Sequence, residues 1–397
     1  MNRPLKRRKL AILALVTLSP LFISGCWSKV EVNDRTFVTG VFVDLAENNQ
    51  LRLGLGFPLP NRLEATQKGG GGRNPYAMVE KTGVDMPSAI HKIQTDLTRR
   101  ITWGHVQIIV VGEEMARSGI GRIMEHAIRL PSFDMKTYFF IAPKALPTAY
   151  LTTVFERFPS EVIRKFMSQG STLKCRVKDL LVFMSSDGDS LVPMLTIGKA
   201  KLVSEEGKLS EWVGVSGAAL FRNDQMVGKL NQEEMQAAMW VKGELKKAYI
   251  TFLSPDDDKP ITVLVVRSDA KATPKIGRKH PAIEIAVKAD VELRASESSM
   301  DLSDPGNVRR LEQAFEHQLV RQIEKMLDKT QSYGVDPFQF GQLIRWRHPD
   351  EWNKLKQRWR QYYQDELTFD VKASMTIKSN GKEKDSFSQT ERYRTER

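Results

Sequence analysis

Residues able to do chemistry are sparse in this chain. Its six histidines, at 91, 105, 126, 280, 317 and 348, are never closer than 14 residues and form no His-Glu-x-x-His or comparable pair, so no local metal motif is written here. His105, entering a strand after Trp103-Gly104, reads as a hydrogen-bonded structural histidine rather than a ligand. Acids cluster at Asp187 and Asp189 in "SSDGDS" and at Asp256 to Asp258 in "SPDDDKP". Neither has the ligand series of a calcium loop, and acids beside Gly, Pro and Ser read as turn builders. The glycines of "QKGGGGRNP" (67 to 75) lack the Lys-Ser or Lys-Thr that a phosphate loop needs, and no G-x-S-x-G elbow occurs. Nothing here supports an enzyme: no catalytic residue, cofactor site or metal site is expected.

The two cysteines, Cys26 and Cys175, cannot build a disulfide framework or a thiolate zinc site. Cys175 has no nearby histidine to activate it. Cys26 has a more telling context. Residues 1 to 9 are basic, residues 10 to 24 ("LAILALVTLSPLFIS") are apolar, and Pro20 interrupts a run already too short for a membrane span. The stretch closes as Ile23-Ser24-Gly25-Cys26, which resembles the lipobox of bacterial lipoproteins. On that reading residues 1–25 are a signal peptide that is removed, and Cys26 becomes the lipidated first residue. Two or three acyl chains then hold the protein on a membrane that it does not span.

The formal charge of +12 suggests a polyanionic partner until its distribution is inspected. Five bases precede residue 10 and no acid precedes Glu31, so the chain from residue 26 carries 55 bases against 48 acids, or +7. That excess is ordinary, and nucleic acid is not an expected partner. "RWRHPDEWNKLKQRWR" (345 to 360) interleaves bases with tryptophans as nucleic-acid or headgroup binders do. The helical spacing of Trp352, Leu355 and Trp359 instead marks an amphipathic helix whose aromatics are core.

Behind these residues lies a composition, 41% hydrophobic and 27% charged, that supports a substantial core and two or three domains. Phe37 to Leu45 and Leu51 to Phe57 read as a β-hairpin. A strand at Tyr76 to Lys81 and a helix carrying Met86, Ile90, Ile93 and Leu97 on one face follow. The strand "HVQIIVVG" (105 to 112) precedes one helix over Glu113 to Ile128, a strand at Lys136 to Ile141, and helices at 160 to 168 and 177 to 185. Residues 186 to 210 are rich in turn formers and mark the candidate domain junction.

Beyond it come a strand at Trp212 to Phe221, a helix at Asn231 to Trp240 and the alternating strand "AIEIAVKADVELR" (282 to 294). A long helix follows, with Val308, Leu311, Phe315, Leu319, Ile323 and Met326 on one stripe. One helix over 349 to 363 and a strand at Glu366 to Ile377 complete the pattern. The expected fold is α+β and multidomain: an N-terminal α/β region (26–205), a C-terminal α+β module (206–380) and a polar tail (381–397). Mixed sheets with flanking helices form a soluble, lipid-anchored ectodomain.

Several long stretches together are similar to one known family, the Ger(x)C lipoproteins, which are C subunits of bacterial spore germinant receptors. They are "GCWSKVEVNDRTFVTGVFVD" (25 to 44), "WGHVQIIVVGEEMARSGI" (103 to 120), "RLPSFDMKTYFFIA" (129 to 142), "GAALFRNDQMVGKLNQEEMQAAMWVKG" (217 to 243) and "KTQSYGVDPFQFGQLIRWRHPDEWNKLKQRWRQYY" (329 to 363). The resemblance implies a non-enzymatic subunit tethered through lipidated Cys26 to the outer face of the inner spore membrane. It would assemble with a membrane-embedded A subunit and a transporter-like B subunit to trigger germination. Of the family's features only the role of Cys26 carries over to a residue; Asn33, Asp34 and Asp44 are open between structure and interface. A rival reading, the solute-binding lipoprotein of a transporter, calls for two α/β lobes around a polar cleft.

Overall fold

In the computed structural model, residues 31–60, 62, 75–151, 156–170, 172–186, 188–201, 209–277 and 281–379 are described. The signal segment, Cys26, Gly69 to Gly72, Asp187, His280 and the polar tail lie outside them.

Strand β1 (Arg35–Phe37) leads into the expected hairpin, β2 (Gly40–Leu45) paired antiparallel with β3 (Leu51–Pro58). Asn48 and Asn49 make its turn with φ of 53° and 58°, a left-handed conformation that asparagine tolerates. β4 (Tyr76–Gly83) extends the sheet, and α1 (Met86–Thr95) follows, with the Asp85 side chain accepting from Ser88 N. The short β5 (Arg100–Thr102) runs parallel to β1. β6 (Ile108–Gly112) is buried throughout, as a central parallel strand covered on both faces must be.

The helix expected over Glu113 to Ile128 is two, α2 (Glu113–Ser118) and α3 (Gly121–Arg129). Gly119 sits between them at φ 117°, a conformation open to glycine, and Ile120 N turns away to donate to Asp224 O at 2.9 Å. After β7 (Tyr138–Ala142) come α4 (Ala145–Thr148), α5 (Pro159–Gln169) and α6 (Val177–Ser185).

The stretch read as turn-rich and flanking a β segment carries parts of two strands. β8 (Asp189–Lys201) and β9 (Leu209–Arg222) pair antiparallel, and β10 (Gln225–Leu230) joins β9. Gly198 lies opposite Trp212, whose indole occupies the space a Cβ would need, so this glycine serves a close packing contact rather than a turn. The resulting eight-stranded sheet has the order β10-β9-β8-β7-β6-β2-β3-β4. A division at 205 falls between two paired strands of this sheet.

The second body begins with α7 (Gln232–Val241), capped by reciprocal bonds between Asn231 and Glu234. Strands β11 (Tyr249–Leu253), β12 (Pro260–Ile276) and β13 (Pro281–Ser296) form a meander, and β14 (Thr368–Ser379) adds parallel to β13. Ile283, Ile285, Val287, Ala289 and Val291 all point into the core, as their period-2 spacing predicts. Over that face lies α8 (Pro305–Ser332), with Phe315 stacked on Phe252 at 4.3 Å. Glu316 and Glu312 of α8 accept from Met375 N and Ile377 N at 2.9 and 2.8 Å, which satisfies donors on the β14 edge.

The helix expected over 349 to 363 is broken. α9 (Phe340–Arg347) precedes α10 (Pro349–Leu355), a single tight turn covers Lys356–Arg358, and α11 (Trp359–Asp365) completes it. Leu355 and Tyr362 are buried, and Trp352 and Trp359 pack against the same core, while Trp346 is 77% exposed. The fold is thus α+β with mixed sheets and flanking helices.

Candidate functional site at the module junction

β9 belongs to both bodies. Ala219 and Phe221 point into the core under α1, α3 and α6, whereas Ala218 and Leu220 point into the core of the second body with Trp240 and Phe315. Alternation along one strand therefore makes a shared wall. Polar contacts reinforce it: the Arg222 guanidinium donates to Tyr333 O at 2.6 Å, and Lys329 pairs with the buried Glu234 at 2.6 Å. The Tyr333 ring fills the space over Gly228, where a Cβ would come within 2.7 Å.

At the start of β8 the wall opens into a cleft of about 400 Å³ between Asp189, Asp336, Gln339, Trp352, Trp359 and Arg360. Asp189 starts β8 and is buried. Its carboxylate accepts from Asp336 N at 2.8 Å and faces both terminal nitrogens of Arg360 at 3.4 Å, while Gln339 Nε2 donates to its carbonyl at 2.6 Å. Arg360 also donates to Gly334 O at 2.5 Å. Asp336 precedes α9 and holds its first turn: Oδ1 accepts from Phe340 N at 3.0 Å and Oδ2 from Gly341 N at 2.9 Å. Gln339, just ahead of that helix, is left-handed at φ 60°.

Burial raises both carboxyl groups. Asp336 is pushed up to about 6 despite the opposing hydrogen bonds from Gly341 and Phe340, and Asp189 is raised, with Arg360 pulling it back. Beside them Trp359 lies so close over Gly341 that a Cβ there would meet the indole at 2.7 Å. Trp359 and Trp352 are 5.5 Å apart, and the Tyr363 hydroxyl is bonded to Thr330 at 2.6 Å. Every carboxylate here is engaged in holding backbone or Arg360, and burial pushes the Tyr363 hydroxyl up, away from ionisation. The arrangement is a polar latch that fixes one body on the other, with an aromatic wall open to solvent.

The residues singled out in the sequence are dispersed. Asp189, read as a turn builder, is a buried strand residue; Asp257 does sit in a turn, accepting from Lys259 N at 3.4 Å, and also accepts from the distant Ser299 N at 2.9 Å. His105 packs on Phe37 at 4.8 Å and His126 on Trp103 at 6.0 Å, and burial lowers the latter's pKa. Among the described residues no group of three His, Cys, Asp or Glu could hold a metal ion. Cys175 is buried, and burial pushes its thiol up. Asp44 crosses to the start of α4, accepting from Ala145 N and Leu146 N at 2.7 and 2.9 Å. Sequence reasoning misses Asp336, Arg360 and Arg222; the one local signal is Asp336-Pro337 ahead of an apolar helical run.

Comparison with known proteins bears on what this frame belongs to. Residues 28–197 match the family model described as "Spore germination protein N-terminal domain", and residues 216–381 match "Spore germination B3/ GerAC like, C-terminal". The chain belongs to the Ger(x)C spore germination family. It is similar to spore germination protein KC of Bacillus subtilis (strain 168), 24% identical over 94% of this chain and 96% of that protein. It is also similar to spore germination protein B3 of the same organism, 24% identical over 88% of this chain and 93% of that one. The crystal structure of the GerBC protein aligns with 85% of this chain and 96% of its own, with a TM-score of 0.56 and 22% identity, a likeness of fold. The two matched segments of this Ger(x)C chain end and begin at 197 and 216, within β8 and β9, which pair with each other in one sheet.

Proposed function

We propose that this Ger(x)C protein is the non-enzymatic lipoprotein subunit of a spore nutrient germinant receptor. Lipidated Cys26 holds it on the outer face of the inner spore membrane, where it assembles with the membrane A subunit and the transporter-like B subunit to trigger germination. The observation that carries this reading is the pair of family matches, which spans most of the chain directly after the Ile23-Ser24-Gly25-Cys26 lipobox. Among the described residues no helix is long and apolar enough to cross a membrane, and the attachment this reading proposes is the lipid on Cys26.

The division into a 26–205 region and a 206–380 module is retained as a division of sequence, joined physically through β9. A transporter's solute-binding protein gains no support from the frame, because lobes that close on a solute need a hinge, whereas these two bodies share a strand and the Asp189 latch.

Cys26→Ala tests the anchor: the variant should leave the inner-membrane fraction of spores and slow the response to nutrient. Retention in the membrane would remove the lipidation reading. Affinity purification of the tagged chain from spore inner membranes should bring down A and B proteins, and tight binding of a small solute without them would favour the transporter rival.

A further inference from the structure

The end of the N-terminal body where the chain emerges carries a feature that the latch does not explain. β1 and β5 pair in parallel with Arg35 opposite Arg100, so two guanidinium side chains leave the same face of a two-stranded ribbon. Like charges directly opposite each other destabilise a pair of strands. Among the described residues no carboxylate pairs with Arg35, Arg99 or Arg100 to offset this. The backbone here is held firmly: the Gln94 side chain donates to Arg99 O and accepts from Ile101 N, each at 3.0 Å.

Beside the ribbon lies a groove of about 300 Å³ lined by Pro58, Leu59, Pro60 and Leu97, by Thr36 and Thr98, and by Arg62 and Arg99. Val32, 70% exposed, sits at the start of the described chain just before it. Among the described residues, Glu31 and Asp34 are the exposed acids next to β1, fewer than Arg35, Arg99 and Arg100, and Asp96 is already paired with Lys81 at 2.6 Å.

We propose that this groove and its arginines are the face that the protein lays on an anionic bilayer, a proposal that rests on the reading of Cys26 as the lipid anchor. Five peptide steps separate Cys26 from Glu31. Whatever their conformation, they span at most about 18 Å. An anchor in the bilayer therefore brings this end of the molecule to the surface, where arginines within a Debye length of about 8 Å feel the lipid charge. The arginines suit headgroup phosphates, and the apolar lining suits the glycerol and first methylenes below them.

The test supplies the anchor chemically. The chain from residue 26 onward is coupled through the Cys26 thiol to a maleimide lipid, since Cys175 is buried and does not compete. It is then placed on vesicles of phosphatidylcholine alone or of equal parts phosphatidylcholine and phosphatidylglycerol. Amide hydrogen exchange at Leu59 and over 97–102 should slow on the anionic vesicles and not on the neutral ones, and the protection should vanish at about 1 M salt. In the R62Q/R99Q/R100Q variant it should fall about fivefold for each arginine replaced. Equal exchange on both vesicles, protection confined to another face, or the same protection from inorganic phosphate without vesicles would each overturn the proposal. The vesicle comparison uses the unaltered protein, so it stands whether or not the variant folds. Failure here leaves the anchor reading intact, because that is decided by fractionation of Cys26→Ala spores.

Discussion

Replacing Asp336 with asparagine should change how stability responds to pH more than it changes stability itself. The carboxyl group is buried, and its pKa in the folded protein is pushed up to about 6 from an ordinary value of 3.8. A raised carboxyl pKa means that the folded state holds the proton longer than the unfolded chain does. Below pH 3.8 both states are protonated and nothing is lost. Between that point and about pH 6 the unfolded chain ionises first, so stability falls with rising pH and levels off once the folded group has also ionised. The fall is about 3 kcal/mol at 1.36 kcal/mol per pKa unit. The asparagine side chain cannot ionise, yet it keeps one acceptor for the Phe340 and Gly341 amides and loses the other, a fixed cost of about 1–3 kcal/mol. Urea unfolding of both proteins from pH 4 to pH 7.5 reads the effect, since groups that do not interact with Asp336 cancel in the difference and the neighbouring Asp189 charge acts in the same direction. The variant should be the weaker partner at pH 4 and gain about 2 kcal/mol relative to wild type by pH 7. A difference that stays flat across the range, or one that widens in favour of wild type, would refute the assignment of a buried, proton-holding carboxyl at this junction.

Arg360→Ala removes the cation facing Asp189 and the donor to Gly334 O, and should cost about 1–3 kcal/mol in urea unfolding, more at pH 7 than at pH 4 because burial then acts on Asp189 unopposed. Gly341→Ala drives a methyl group into the Trp359 indole, and should lower stability by about 1–3 kcal/mol and change the tryptophan emission spectrum. In a Cys26→Ser background, Cys175 should ignore a disulfide reagent until denaturant unfolds the first core, and fast labelling in buffer would contradict its burial.

Local periodicity makes much of the fold legible. The alternation from Ile283 to Val291 and the stripe from Leu311 to Met326 are patterns that a single strand and a single helix must show, and both elements form where the spacing puts them. The helix breaks are harder to read, because apolar residues continue at helical spacing on both sides of Gly119 and through Lys356 to Arg358. What interrupts them is a backbone conformation, which spacing does not record. Asp189 misleads for a related reason. Its neighbours are Gly188 and Ser190, whereas the groups that give it meaning, Asp336 and Arg360, are 147 and 171 residues away. The arginine pair on β1 and β5 is similarly invisible in sequence, since only the strand register sets Arg35 opposite Arg100.

The shared strand has a mechanical consequence. With Ala219 and Phe221 buried on one side of β9 and Ala218 and Leu220 on the other, neither body can swing about the junction without tearing a strand out of a packed core. The described molecule thus behaves as one stiff lever. A tilt imposed on the β1–β5 end is passed through β9 to the second body, and a push on the helices of that body returns along the same strand.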